Sequence, residues 1–200
     1  SGCTTTVDHN YLKVNDMKQE TGIQAAQELG IRFHLARGSH TDSPIGTVSP
    51  LVHTVEKEDD VLADTERLIK TFHNPAHGAM VRIVNAPSSP FAVSDRMYIE
   101  SINLARKYGI GNHTHMAEAP DEEQFMLEKY GQRSVERAEQ LGWVGPDVWY
   151  AHATMLDDNE KAIIKRTGTG ICNCPSSNMY TAAKVCDVSP MLREGGFKIG

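Results

Sequence analysis

Along this chain the hydrophobic pattern switches repeatedly between two periods. Short runs of apolar, β-branched residues predict strands, and stretches with apolar residues three and four apart predict helices. The opening SGCTTTVDH is rich in Thr and Val and reads as a strand. Asp16 stands where it can cap a helix whose apolar face includes Met17, Ala26 and Leu29, and a strand follows over residues 31–36. A loop then carries Ser43, Pro44, Gly46 and Pro50. The clearest helix comes next, with Asp59 ahead of Val61, Leu62, Thr65, Leu68, Ile69 and Phe72 on one 3.6-residue stripe. Residues 80–86 read as a strand, and Ser94 caps a helix that turns Tyr98, Ile102, Ala105 and Tyr108 inward. A short strand reaches His115, helices cover 122–130 and 134–141, and 148–151 is again a strand. Asp157 with Glu160 three residues later has the form of a capping box. Residues 169–174 form a strand, Ser189-Pro190 opens a helix, and the closing GGFKIG reads as a strand cut short.

About seven strand–helix units in series predict a parallel sheet with helices outside it, the α/β class. A closed barrel and an open doubly wound sheet compete. The open sheet lacks its Gly-rich dinucleotide turn here. The barrel is favoured by where the polar residues fall. Asp8 and His9 end the first strand, Arg37 and Ser39 the second, His115 and Glu118 the fourth, and His152 the fifth. Ser88 and Ser89 follow the third, and Ser176, Ser177 and Asn178 follow the sixth. A barrel gathers such strand ends around one pocket. A whole (β/α)8 barrel takes roughly 250 residues. With 200 residues and a start inside a strand, the sequence is expected to be an internal piece of a longer protein.

Composition narrows the function classes. The chain has 26 acidic and 20 basic residues, a net charge of −6, and its Lys and Arg are scattered, so neither nucleic acid nor an anionic membrane is favoured as a partner. No stretch approaches a membrane span, and no signal peptide is visible. Cys3, Cys172, Cys174 and Cys186 match no zinc-finger or disulfide framework, and free thiols in a reducing cytoplasm are expected. Cys172 and Cys174 share a strand face, and packing is favoured there over metal ligation.

The most informative stretch is His113-Thr-His115-Met-Ala-Glu118. Two imidazoles on one strand face could both bind a metal. Alternatively His115 binds the metal and Glu118, just past the strand end, carries the proton that hydrolysis must move. A core histidine beside a helix-capping Glu would give the same pattern. His152, directly after the apolar Trp149-Tyr150-Ala151, faces a strand-end pocket and could bind metal or polarise the group under attack; a structural histidine is the competing reading. Cys174-Pro-Ser-Ser-Asn178-Met could hold a polar ligand or cap the next helix. The G-x-S-x-G elbow, the P-loop, H-E-x-x-H and the zinc nucleoside deaminase signature are all absent.

Taken together, SGCTTTVDHNYL, RFHLARGS, NAPSSPFAVS, HTHMAEAPDEE, GPDVWYAH and TGTGICNCPSSNM resemble the amidohydrolase superfamily, in its aminohydrolase and deaminase branch. The resemblance covers essentially the whole chain. It implies a (β/α)8 TIM barrel, here about strands 2 to 8, and one divalent metal, usually zinc and sometimes iron. It implies His115 as a metal ligand, Glu118 as the acid/base, and His152 beside the metal, with His113 left out of the ligand set. The family's first-strand H-x-H and eighth-strand Asp have no counterpart in this sequence. His9-Asn10 stands where paired histidines are expected, and Tyr180 where related deaminases often carry Arg. The implied reaction is hydrolytic deamination of an amino-substituted purine, pterin or triazine by a metal-activated water. Removal of an alkylamine or chloride, hydrolysis of a cyclic amide, or a binding role alone are the alternatives. Arg37, Ser89 and Asn178 are candidates for holding the heterocycle, and a homo-oligomer acting on a small molecule is expected.

Overall fold

The computed structural model describes residues 2–13, 17–41 and 54–200. The proposed Asp16 cap and the loop through Ser43, Pro44, Gly46 and Pro50 lie outside them. Two compact units emerge, Ser1–Ser88 with Ala92–Asn112, and Ser89–Phe91 with His113–Gly200.

The first unit contains β1 (Thr5–Asn10), α1 (Glu20–Leu29), β2 (Arg32–Ser39), α2 (Glu58–Phe72), β3 (Val81–Pro87) and α3 (Asp95–Tyr108). β1 pairs in parallel with β2 from Thr5↔Arg32 to Asn10↔Arg37, and β2 with β3 from Phe33↔Val81 to Ser39↔Pro87. Sequence neighbours are thus sheet neighbours, as helical crossovers require. Phe33, Leu35, Val81 and Ile83 pack with Ile23, Ala26, Leu68, Ile69 and Ala105 into one core.

Local chemistry explains the helix limits. α2 starts with Glu58, Asp59 and Asp60 in its first turn, where the macrodipole favours negative charge. Ser94 caps α3 by accepting from the Met97 N–H at 3.1 Å, and Gly109 closes it at φ 66°. α1 departs from expectation. Ile23 and Ala26 are buried, whereas Met17 is 40% and Leu29 81% exposed, so the inward stripe is rotated from the expected one. Gly38 answers to a close approach rather than a turn. A Cβ there would lie 2.5 Å from the Tyr11 Cα and 2.6 Å from the Asn10 carbonyl oxygen.

The second unit contains α4 (Pro120–Tyr130), α5 (Ser134–Gln140), β5 (Val148–His152), α6 (Asp158–Thr167), β6 (Gly170–Cys172), α7 (Pro175–Tyr180), α8 (Val188–Glu194) and β7 (Lys198–Ile199). It also holds all but the first residue of β4 (Asn112–Met116). β5, β6 and β7 are parallel neighbours in chain order. Trp143, Val135, Tyr150, Ile164 and Ile171 are buried among its elements. The Asp157–Glu160 capping box is present. Asp157 accepts from the Glu160 N–H at 2.9 Å and Glu160 from the Asp157 N–H at 3.2 Å. β6 is shorter than expected: it ends at Cys172, and Pro175 starts α7, so Ser176, Ser177 and Asn178 lie within that helix. Among the described residues, no helix is long and apolar enough to cross a membrane.

Candidate active site

The site forms in the second unit, where the ends of β4 and β5 are stitched together by loop hydrogen bonds. The Ala153 N–H donates to the Met116 carbonyl at 3.1 Å, and the Thr154 and Met155 N–H groups donate to the Ala117 carbonyl at 2.9 and 3.0 Å. The Thr154 hydroxyl donates to the Glu118 carbonyl at 2.6 Å. These contacts hold a backbone that non-glycine residues rarely adopt. Ala117, His152 and Ala153 sit at φ 51°, 72° and 52°. Strain of this kind costs on the order of 1–3 kcal/mol per residue and persists only where the surroundings over-determine it. Three such residues at two adjoining strand ends are a physical reason to look for function there.

The stitched ends bring the expected chemistry together. The rings of His115 and His152 stack with centroids 5.3 Å apart and planes 26° from parallel. Glu118 Oε1 lies 3.5 Å from His152 Nε2. His152 is buried, and its Nδ1–H donates to Asn178 Oδ1 at 2.6 Å. That bond fixes the ring's tautomer, so in the neutral imidazole Nε2 carries the lone pair on the side of Glu118. Asn178 is wholly buried on α7, and among the described residues its Nδ2 has no hydrogen-bond partner. An orphaned buried donor is costly unless a ligand satisfies it.

His113 is buried and stacks on Trp149 with centroids 5.3 Å apart; its Nδ1 donates to the Trp149 carbonyl at 3.2 Å. Burial, with His115 beside it, pushes its pKa down to about 3, so the ring is a neutral packing element. Arg37 belongs to the first unit and is fully buried. Its guanidinium grips both oxygens of Glu56 at 2.8 Å, reaches Asp64 at 3.1 Å and donates to the Gly38 carbonyl. That guanidinium is thus engaged with its own unit's carboxylates. Ser89, half-buried after β3, falls in the same unit as the histidines. His9 Nε2 donates to the Ala86 carbonyl at 2.9 Å, and Tyr180 is 93% exposed at the end of α7. Cys172 and Cys174 are free thiols. Cys174 Sγ donates to the Cys172 carbonyl at 3.4 Å, and its acidity is raised by the neighbouring Cys172 thiol.

One group escaped the sequence reading. Glu122 is buried on the first turn of α4 and accepts from the N–H groups of Ala117 at 2.7 Å and Glu118 at 3.1 Å. The Asp121-Glu122-Glu123 run that contains it reads as ordinary helix N-terminal charge. The signal available was the fourth-residue spacing behind Glu118, which aims a carboxylate back at the turn.

Parallel strands in series, each followed by a helix, with imidazoles and a carboxylate converging at strand ends, define an α/β fold of the (β/α)8 TIM-barrel type. The chain belongs to the amidohydrolase family, whose profile matches residues 1–200. It is 41% identical over 202 residues to an 8-oxoguanine deaminase of Pseudomonas aeruginosa, covering 100% of this chain and 45% of that protein. It is 38% identical to a hydroxydechloroatrazine ethylaminohydrolase of a Pseudomonas species, covering 100% of this chain and 41% of that one. Among solved structures, atrazine chlorohydrolase of Arthrobacter aurescens in complex with zinc superposes with a TM-score of 0.88 at 28% identity, over 100% of this chain and 45% of that one. The chain therefore spans a little under half the length of the relatives it matches.

Proposed function

We propose that the protein hydrolyses the bond between a ring carbon and its amino substituent on a purine, pterin or triazine, with a divalent metal, zinc, as cofactor. The convergence of His115, Glu118 and His152 carries the reading. Relatives that deaminate 8-oxoguanine and isoxanthopterin support it, the second at 34% identity over 98% of this chain.

The donor set fits zinc in kind, since imidazole and carboxylate are its ordinary ligands. It does not fit in number. Catalytic zinc takes three protein ligands, and among the described residues no group of three His, Cys, Asp or Glu side chains is set to hold a metal. His115 is the residue assigned to the metal. When bound, such a metal is a Lewis acid that makes water acidic near neutral pH.

The remaining steps belong to this chain's own side chains. Glu118 takes a proton from the attacking water and hands it to the ring nitrogen beside the carbon under attack. His152, its Nδ1–H tied to Asn178, directs Nε2 at the water and steadies the tetrahedral centre. A second proton transfer releases ammonia, so that amine and water become a ring carbonyl and ammonia. The free Nδ2 of Asn178 suits an acceptor on the heterocycle, and Ser89 is a further candidate contact. Arg37, engaged by Glu56 and Asp64, is left out of these contacts. Free cysteines are in keeping with a reducing cytoplasm as the working compartment.

The test is to supply zinc to the full-length protein and measure ammonia release from panels of aminated purines, pterins and triazines, with release of ethylamine and chloride followed in parallel. The same carboxylate and imidazole could expel an alkylamine or chloride, as the ethylaminohydrolase and chlorohydrolase relatives suggest. Ammonia release supports the proposal. Ethylamine or chloride alone would favour that second reaction, and no product from any panel would refute both.

A further inference from the structure

We infer that Glu122 is a positioning residue: its buried carboxylate fixes the β4–α4 turn that aims Glu118. The inference rests on the proposed role of Glu118 only for its catalytic consequence.

The turn has an unusual need. Ala117 is in the left-handed region at φ 51°, and a short concavity of consecutive N–H groups at such a turn attracts an anion. Here the acceptor is supplied from within, by the carboxyl group of Glu122. The two oxygens of Glu122 accept one N–H each, from Ala117 at 2.7 Å and Glu118 at 3.1 Å. From the other side, Thr154 donates its hydroxyl to the Glu118 carbonyl at 2.6 Å, and the Thr154 and Met155 N–H groups occupy the Ala117 carbonyl. Donors and acceptors on both sides of one peptide leave its plane no freedom, and that plane sets the direction of the Glu118 side chain. Ala119, the residue before α4, offers no side-chain cap, so neither is that task taken up locally. A carboxylate whose only purpose was to complement the helix dipole would sit in solvent. Glu122 is buried, where an acid is tolerated only if its oxygens are used.

The Glu122→Gln substitution separates this role from space filling. It preserves shape, but its amide nitrogen meets one of the two N–H groups donor to donor. The whole chain, wild type and variant, is examined by amide NMR and by turnover of an aminated heterocycle with zinc. The Ala117 and Glu118 amide protons are expected to lie downfield in the wild type, and at least one moves upfield in the variant. Turnover, kcat, falls by roughly 10²-fold, the cost of a misplaced catalytic group, while KM changes little. Should Glu122→Gln fail to fold, Glu122→Asp keeps the charge one methylene short, and the same two readouts apply. A folded variant with unmoved amide resonances and native kcat overturns the inference. If the wild-type chain turns over no heterocycle, the proposed function fails separately, and the amide resonances alone decide the role of Glu122.

Discussion

The Nδ1–H of His152 donates to Asn178 Oδ1 at 2.6 Å, linking the end of β5 to the short helix α7 within one buried hydrogen bond. The bond decides which ring nitrogen is available to the site. Replacing Asn178 by Leu removes the acceptor at nearly constant volume. The Nδ1–H is then buried without a partner, a penalty of about 1–3 kcal/mol. We expect lower stability to urea and a shift of the ring toward the Nε2–H tautomer, read from its 15N resonances. An unchanged Nδ1–H signature in the variant would show that Asn178 does not set the tautomer.

Glu118→Gln keeps the size and the backbone bonds of Glu118 while removing its ability to take up a proton. Fold, stability and zinc uptake should persist, and turnover of any heterocycle should fall by on the order of 10²–10⁴-fold, the usual contribution of a positioned acid/base. Circular dichroism, metal analysis and ammonia release check the three parts. Turnover close to wild type would assign the proton transfer to another group.

Much of this was legible in the sequence because it depends on short-range rules. The 3.6-residue stripe of Val61, Thr65, Leu68 and Ile69, the Ser94 cap and the Asp157–Glu160 box are each settled by residues within a few positions of one another. That His115, Glu118 and His152 would lie near one another was legible because strand ends gather in such folds. What could not be read was what long-range packing decides. Arg37 is as suitable in sequence for a ligand as for an ion pair, and its pairing with Glu56 and Asp64 is made by long-range packing. The inward face of α1 turned to Ile23 because the core beneath it, not its own periodicity, selects the register. Glu122 stands four residues behind Glu118, but that spacing does not tell a buried carboxylate from a solvated acid at a helix N-terminus.

Arg133 binds three acids that would otherwise repel one another. Its guanidinium lies 3.0 Å from Asp157, 2.9 Å from Glu160 and 3.5 Å from Glu123. Glu160 is fully buried and also accepts the Val135 N–H at 2.9 Å, joining α5 to α6. Arg133→Met keeps the aliphatic stem and strands the buried carboxylates. Loss of one partner from such a cluster costs about 3 kcal/mol. Urea unfolding of the variant should show that loss at pH 7, with part of it recovered in acid as the carboxylates take up protons. A midpoint equal to wild type at pH 7 would mean the cluster is solvated enough to do without its cation.

Buried acids also give stability a pH slope of definite sign. Burial pushes Glu122 up to about 7 from an ordinary 4.5, against the pull of the Glu118 and Ala117 amides. Burial raises Glu123 and Glu160 in the same direction. A group with a raised folded-state pKa holds its proton in the folded chain after the unfolded chain has lost it. Its contribution is therefore fully present below about 4.5 and is lost as pH rises through about 7. Stability to urea should decline across that window. Glu122→Gln cannot titrate and should flatten the decline, leaving only the slope owed to Glu123, Glu160 and the other titrating groups. A slope as steep in the variant as in the wild type would show that Glu122 is already ionised in the folded chain throughout the window, its carboxylate held by the two amides against the cost of burial.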